Sequence, residues 1–220
     1  MTCFVGIDLT SSPQRPSALA VLSDEQRILC LKKVRTDDEL LAEVAAQDPT
    51  FVAIDAPLGL PKGLCCLEES CSCKQVSPNK GKAGERALSR MGIPCYHTTK
   101  RSIIRRMVYR GIALREALTY RGYSVLEVYP YGSKVQLFGK PFPRKTTPEG
   151  LRFVEERLRA VLQFTGSEPR LDHDLCDALT AALTAYLHSK GKTLLLGDAD
   201  EGLICLPQPD IALAERFVVI

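Results

Sequence analysis

The chain has 220 residues, 45% of them apolar and 25% charged, with a formal net charge of +3. This is ordinary globular composition, enough for one sizeable core. No apolar run approaches the length a bilayer demands, and the opening MTCFVGIDLT meets an acid at its eighth residue, so neither a membrane span nor a secretion signal is expected and the expected location is cytoplasmic. Its fifteen glycines and fourteen prolines are scattered without an internal repeat, which excludes collagen-like, low-complexity and solenoid architectures.

The first element in chain order is TCFVGID, a buried-type strand run ending on an acid. SALAVLS (17–23) and RILCLKKV (27–34) follow after short polar breaks, and three strands so closely connected should pair antiparallel. Thr36-Asp37-Asp38-Glu39 is a capping-box pattern ahead of LLAEVAAQ, where Leu40, Leu41, Val44 and Ala45 share one helical face. Asp48-Pro49 closes that helix. FVAID (51–55) is again an apolar run ending on an acid, and its lack of alternation suits a central strand covered on both faces.

Residues 56–98 break the pattern with APLGLPKG, a cysteine cluster and SPNKGKAG, and are read as a functional insertion because the stretch is too long for an ordinary connection. Residues 102–122 are helical in period, with Gly111 weakening or kinking the helix. YSVLEVYP (123–130) reads as a strand carrying Glu127, followed by a Pro-rich loop. Thr147-Pro148-Glu149 offers an N-cap, a first-turn proline and a dipole-favoured acid for a helix running to about Phe164. Asp172 caps the last long helix, HDLCDALTAALTAYLHSK, which Gly191 stops, and LICLP and FVVI are read as short edge strands. The order implies one α/β domain over 1–220 with a mixed sheet flanked by helices, the Cys-rich basic insertion lying within it.

An α/β sheet places its chemistry beyond the carboxyl ends of its strands. Asp8 ends the first strand, Asp55 ends the fourth, Glu127 lies on the fifth, and Asp174 and Asp177 stand three apart on the last helix, where both should face the sheet together. One such acid is commonly a turn former, and an acid pair on a helix is commonly a solvated face. The apolar company in GID, AID and HDLCDALTAAL argues otherwise. Neighbouring buried carboxylates repel strongly unless a cation neutralises them. Hard oxygen donors suit Mg²⁺ or Mn²⁺, and two such ions clamp the attacking and leaving oxygens of a phosphodiester.

GIDLT, VAIDAPLGLP, the basic RGIALREAL helix leading into VLEVYP, and HDLCDALTAALTA together resemble the domain-of-unknown-function 429 family, described as predicted nucleases with a ribonuclease-H-like fold. The resemblance spans about residues 3–206 and implies three antiparallel strands followed by parallel strands around an acidic centre. It also implies kinship with RuvC-type junction resolvases, whose first-strand, fourth-strand and final-helix acids match Asp8, Asp55, Asp174 and Asp177. The fourth-strand acid of the resolvases is usually Glu, one methylene longer than Asp55. On this basis Asp8 would bridge two divalent ions, with Asp177 and either Asp55 or Glu127 completing their shells, and His173 or Asp174 would stand at the periphery. Resolvase-like geometry would also favour a symmetric homodimer.

From Lys74 to Arg121 there are twelve Lys or Arg against two acids, which is what counterion release asks of a phosphate-binding surface. Lys100, Arg101, Arg105, Arg106 and Arg110 are the candidate nucleic-acid contacts, with Tyr96, Tyr109, Tyr120 and Tyr123 interleaved for stacking. Lys134 and Lys145 fall on the loops after the fifth strand, where they could touch phosphate, though exposed loop lysines are commonly only solvated. Four of nine cysteines, Cys65, Cys66, Cys71 and Cys73, crowd into nine residues, with Cys95 and His97 further on. They suit a structural Zn²⁺. An iron–sulfur cluster or free thiols are the alternatives, because C-C-x₄-C-x-C lacks paired C-x₂-C knuckles and adjacent cysteines do not easily share one ion. The remaining readings are a non-catalytic nucleic-acid-binding adaptor and an actin-like phosphotransferase. The second is disfavoured because the chain holds no second GID-like segment.

Overall fold

The computed structural model describes residues 2–12, 14–140, 143 and 147–209. Strands β1 (Cys3–Asp8), β2 (Ser17–Ser23) and β3 (Ile28–Val34) form the antiparallel opening. Helix α1 (Asp37–Gln47) starts at Thr36, whose side chain accepts the Glu39 N–H at 3.1 Å while Glu39 accepts the Arg35 N–H at 2.9 Å. Each of these bonds satisfies a donor at the start of the helix. β4 (Phe51–Asp55) then pairs parallel with β1, and β5 (Val125–Val128) pairs parallel with β4. β7 (Ile204–Pro207) continues parallel beyond β5, and β6 (Thr193–Leu196) closes the sheet antiparallel. The order β3-β2-β1-β4-β5-β7-β6 is a ribonuclease-H-like mixed sheet, three antiparallel strands and then parallel ones.

Strand alternation assigns the two faces. Val5, Ile7, Val52 and Ile54 pack with Leu40 and Val44 of α1 and with Leu114 and Leu118 of α3 (Arg105–Tyr120). Phe4 and Ala53 face the other way, onto Ala181 and Ala185 of α6 (His173–Ser189), against which α5 (Pro148–Val161) also packs through Leu158 and Val161. The Asp172 carboxylate caps α6 by accepting the Leu175 N–H at 2.9 Å. Twelve of its seventeen residues are buried, so α6 is the central helix of that layer. Its alanines let it lie unusually close: a Cβ on Gly6 would fall 2.2 Å from Ala178 O and Ala182 N. Backbone therefore meets backbone where β1 runs toward Asp8.

Several elements differ from the sequence expectations. The insertion carries α2 (Ala83–Arg90), and the stretch read as a Pro-rich loop begins with α4 (Pro130–Phe138), with proline at its first turn. LICLP is interior, because β6 covers it as the edge strand. FVVI and Lys145 lie outside the described residues. Helix α3 runs uninterrupted through Gly111, where a Cβ would come within 2.9 Å of Pro57 O. The glycine thus admits the turn that follows β4 and does not break the helix.

Three buried glutamates, one within the insertion and two outside it, hold the insertion in place. Glu85 accepts the N–H groups of Lys82 and Thr98 at 2.8 Å each. Glu201, in the 3₁₀ turn Ala199–Glu201, accepts the Lys62 N–H at 2.8 Å and the Ala83 N–H. Glu127 of β5 accepts the Leu58 N–H at 2.7 Å and pairs with Lys82, which is fully buried. Burying carboxylates is tolerable only with such donors, so these bonds explain how a glycine- and proline-rich segment keeps one conformation.

Candidate active site

Asp8 and Asp55 are register partners at the carboxyl ends of parallel β1 and β4, so both side chains leave the same face of the sheet. That face is the one α6 covers, and Asp177 lies in the second turn of α6. Ligand oxygens of Asp8, Asp55 and Asp177 all lie within 4.8 Å of one another. Asp177 is buried, while Asp8 and Asp55 are partly open to solvent. Two unit charges at that separation repel by about 3–4 kcal/mol at an effective dielectric of about 20. Lys134 of α4, itself buried, pairs with Asp177. The three carboxylates form a hard-oxygen donor set of the kind a divalent cation takes. Lys134 is therefore neither on a loop nor exposed, in contrast to the sequence reading.

Glu127 does not join this group, and strand parity is the reason. It pairs in register with Ile54, one residue before Asp55, so its side chain leaves the opposite face, toward Leu58 and Lys82. Burial pushes its carboxyl upward against the pull of Lys82. Of the two acids that competed for one role, the structure brings Asp55 to Asp8. Asp174 also stands apart from Asp177. It pairs with Lys33 of β3, which lies 3.1 Å from Asp172 as well, so a three-residue separation on α6 sends the two acids to different partners.

A cleft adjoins Asp55, lined also by Pro57, Glu85, Cys95, Tyr96, Glu127 and Tyr129. Tyr129 donates to Pro94 O at 2.8 Å, and burial, then the neighbouring Cys95 and Asp55, keep its phenol protonated. Lys134 was expected to touch phosphate and not to pair with Asp177, and Tyr129 was not singled out.

The basic candidates divide. Arg110 is occupied within the fold: its guanidinium meets Asp37 at 2.6 and 2.9 Å and donates to Thr10 O at 2.7 Å. With 8% of its side chain exposed, it ties α3 to the start of α1 and to the loop after Asp8, and is not a surface contact. Arg105 pairs with Glu68 at 3.2 Å and Arg101 with Glu69 at 3.3 Å. These acids precede the segment over which charge was counted, so the local excess is smaller than it looked. Lys100 donates to Cys71 O, and Arg106 is exposed.

The four clustered cysteines converge, with sulfurs all within 4.8 Å of one another and Cys65 and Cys71 at 3.6 Å. Adjacent Cys65 and Cys66 both reach the cluster, against the expectation from their spacing. Hydrogen bonding from the Cys66 backbone, then the Cys65 backbone, holds the Cys73 thiol down to about 6, while the bond to Cys71 drives Cys65 up to about 12. Cys95 and His97 lie elsewhere, against Glu85 O and Ser89. Glu68 accepts from the Tyr109 hydroxyl at 3.1 Å, which itself accepts the Leu67 N–H at 2.7 Å, so the cysteine loop is docked on α3.

The fold and the three-acid centre define an α/β protein whose mixed sheet, flanked by helices, carries a carboxylate cluster at its strand ends. The chain belongs to the DUF429 family, described as proteins of unknown function, whose model matches residues 6–201. Among solved structures it is similar to Thermus thermophilus RuvC, at 18% identity over 86% of this chain and 97% of that chain, with a TM-score of 0.46. No curated protein matches. Among the described residues no helix is long and apolar enough to cross a membrane.

Proposed function

We propose that this protein is a divalent-metal-dependent nuclease that hydrolyses phosphodiester bonds of nucleic acid. The observation that carries the reading is the convergence of Asp8, Asp55 and Asp177 at one end of a ribonuclease-H-like sheet. These three carboxylates would hold Mg²⁺ or Mn²⁺, and bound cations would supply an activated water and charge stabilisation for the departing oxygen. Asp8 and Asp55, partly open to solvent, admit the scissile phosphate. Asp177 is fixed from behind by Lys134, which holds the carboxylate in one orientation and limits the net negative charge facing an anionic substrate. Arg110 holds the loop after Asp8 through Thr10. The second donor set, Cys65, Cys66, Cys71 and Cys73, suits a structural Zn²⁺, with Cys73 the thiol most ready to deprotonate.

The test is cleavage of labelled single-stranded, duplex and four-way DNA and of RNA in Mg²⁺, Mn²⁺ or chelator. Metal-dependent cutting lost in Asp8→Asn is the expected result. Binding without cutting in every metal would favour a non-catalytic adaptor.

A further inference from the structure

We propose that the open groove beside the cysteine cluster is the track for the nucleic-acid backbone, with Lys74, Lys80, Lys100 and Arg101 as its phosphate contacts. The inference rests on the nuclease reading for the identity of the polyanion, and it moves the contact surface away from the exposed side of α3. The groove holds about 560 Å³ and opens widely to solvent, and its ten lining residues include these four cations and no acid. Lys74 and Lys80 are exposed. The Arg101 side chain is 86% exposed, so its pairing with Glu69 is weak enough to yield to a phosphate. Arg110, by contrast, is committed to Asp37.

One short segment borders both the acid-side cleft and the groove. Tyr96 lines the cleft that contains Asp55, and Thr99, Lys100 and Arg101 line the groove. Tyr96 and Thr99 are three positions apart, so their Cα atoms are at most about 11 Å apart. With a rise of about 3.4 Å per nucleotide along a stacked strand, the groove begins no more than about three nucleotides from the cleft. Tyr96 is 65% exposed at the junction, placed to stack on a base. Cys71 and Cys73 form part of the groove wall. A zinc tetrathiolate there carries two negative charges, so a metal would serve the groove by fixing its shape, and attraction would come from the lysines.

The experiment measures anisotropy of a fluorescein-labelled single-stranded oligonucleotide with the full chain carrying Asp8→Asn, in Mg²⁺, across a salt series. Adding Lys74→Ala and Lys80→Ala is expected to weaken binding about tenfold or more at moderate salt. It should also flatten the log–log salt slope by about 1.4, two contacts at roughly 0.7 each, while Lys190→Ala at the far end of α6 changes neither. Unchanged affinity and slope in the double lysine variant would overturn the groove. Cleavage with Asp8 restored separates the two readings. If the native chain never cuts but the lysine variant loses binding, the groove stands and the nuclease reading falls. If the native chain cuts and the lysine variant binds and cuts as well as it does, the groove alone falls.

Discussion

Asp8 and Asp55 face each other in register across β1 and β4, while Glu127, one strand further on, is in register with Ile54. A one-residue offset thus divides the acids between a metal-type cluster under α6 and a buried ion pair under the insertion. Asp55→Asn is accordingly expected to lose cleavage with little change in melting temperature, and thermal unfolding beside the cleavage assay checks both halves.

The Lys82–Glu127 pair has a different role. Lys82→Met leaves a buried carboxylate without its partner, which is expected to destabilise the protein by about 3–5 kcal/mol. The double variant Lys82→Met/Glu127→Gln should recover part of that loss. Denaturant titration of the three proteins measures it, and simple additivity would show that the two groups are not coupled.

Arg110→Ala is expected to cost about 1–3 kcal/mol of stability, because Asp37 and Thr10 lose a charged partner. The salt dependence of nucleic-acid binding should not move. A flattened slope would return Arg110 to the contact surface.

Metal analysis of protein purified without chelator should find one zinc per chain, lost in a Cys65→Ser/Cys73→Ser variant. Since Cys71 and Cys73 line the groove, zinc loss should also raise protease sensitivity within residues 65–80. Full retention of zinc in that variant would place the ion elsewhere.

His188 supplies a pH effect. Partial burial depresses its pKa below 6.5, with its Nδ1 2.8 Å from the Thr193 hydroxyl and its ring edge-on to Phe51. The unfolded chain therefore binds a proton more readily than the folded one. The contribution to stability is fully present above about 6.5 and is lost as pH falls through the lower folded value. Melting temperature should drop between about pH 7 and pH 5.5, and less steeply in His188→Gln.

Much of this was legible in the sequence. GID and AID announce themselves as buried strands ending on acids, and the cap at Asp172 and the run of alanines mark α6. Inter-strand register was not legible, since nothing within VLEV tells which residue of FVAID will stand beside Glu127. Nor was the pairing of Arg110 with Asp37, which lie 73 positions apart. Helix α4 escaped because Pro130 read as the end of the strand and Gly132 as part of a loop, whereas the proline sits where a first turn has no need of its N–H. The basic excess was overstated because its acids, Glu68 and Glu69, come from the neighbouring cysteine loop.

The most direct measurement is Mn²⁺ binding followed by electron paramagnetic resonance in the native protein, Asp8→Asn and Glu127→Gln. Saturable binding in the native protein and in Glu127→Gln, lost in Asp8→Asn, is the predicted result. Binding that survives Asp8→Asn but disappears in Glu127→Gln would contradict the assignment of the metal centre to Asp8, Asp55 and Asp177.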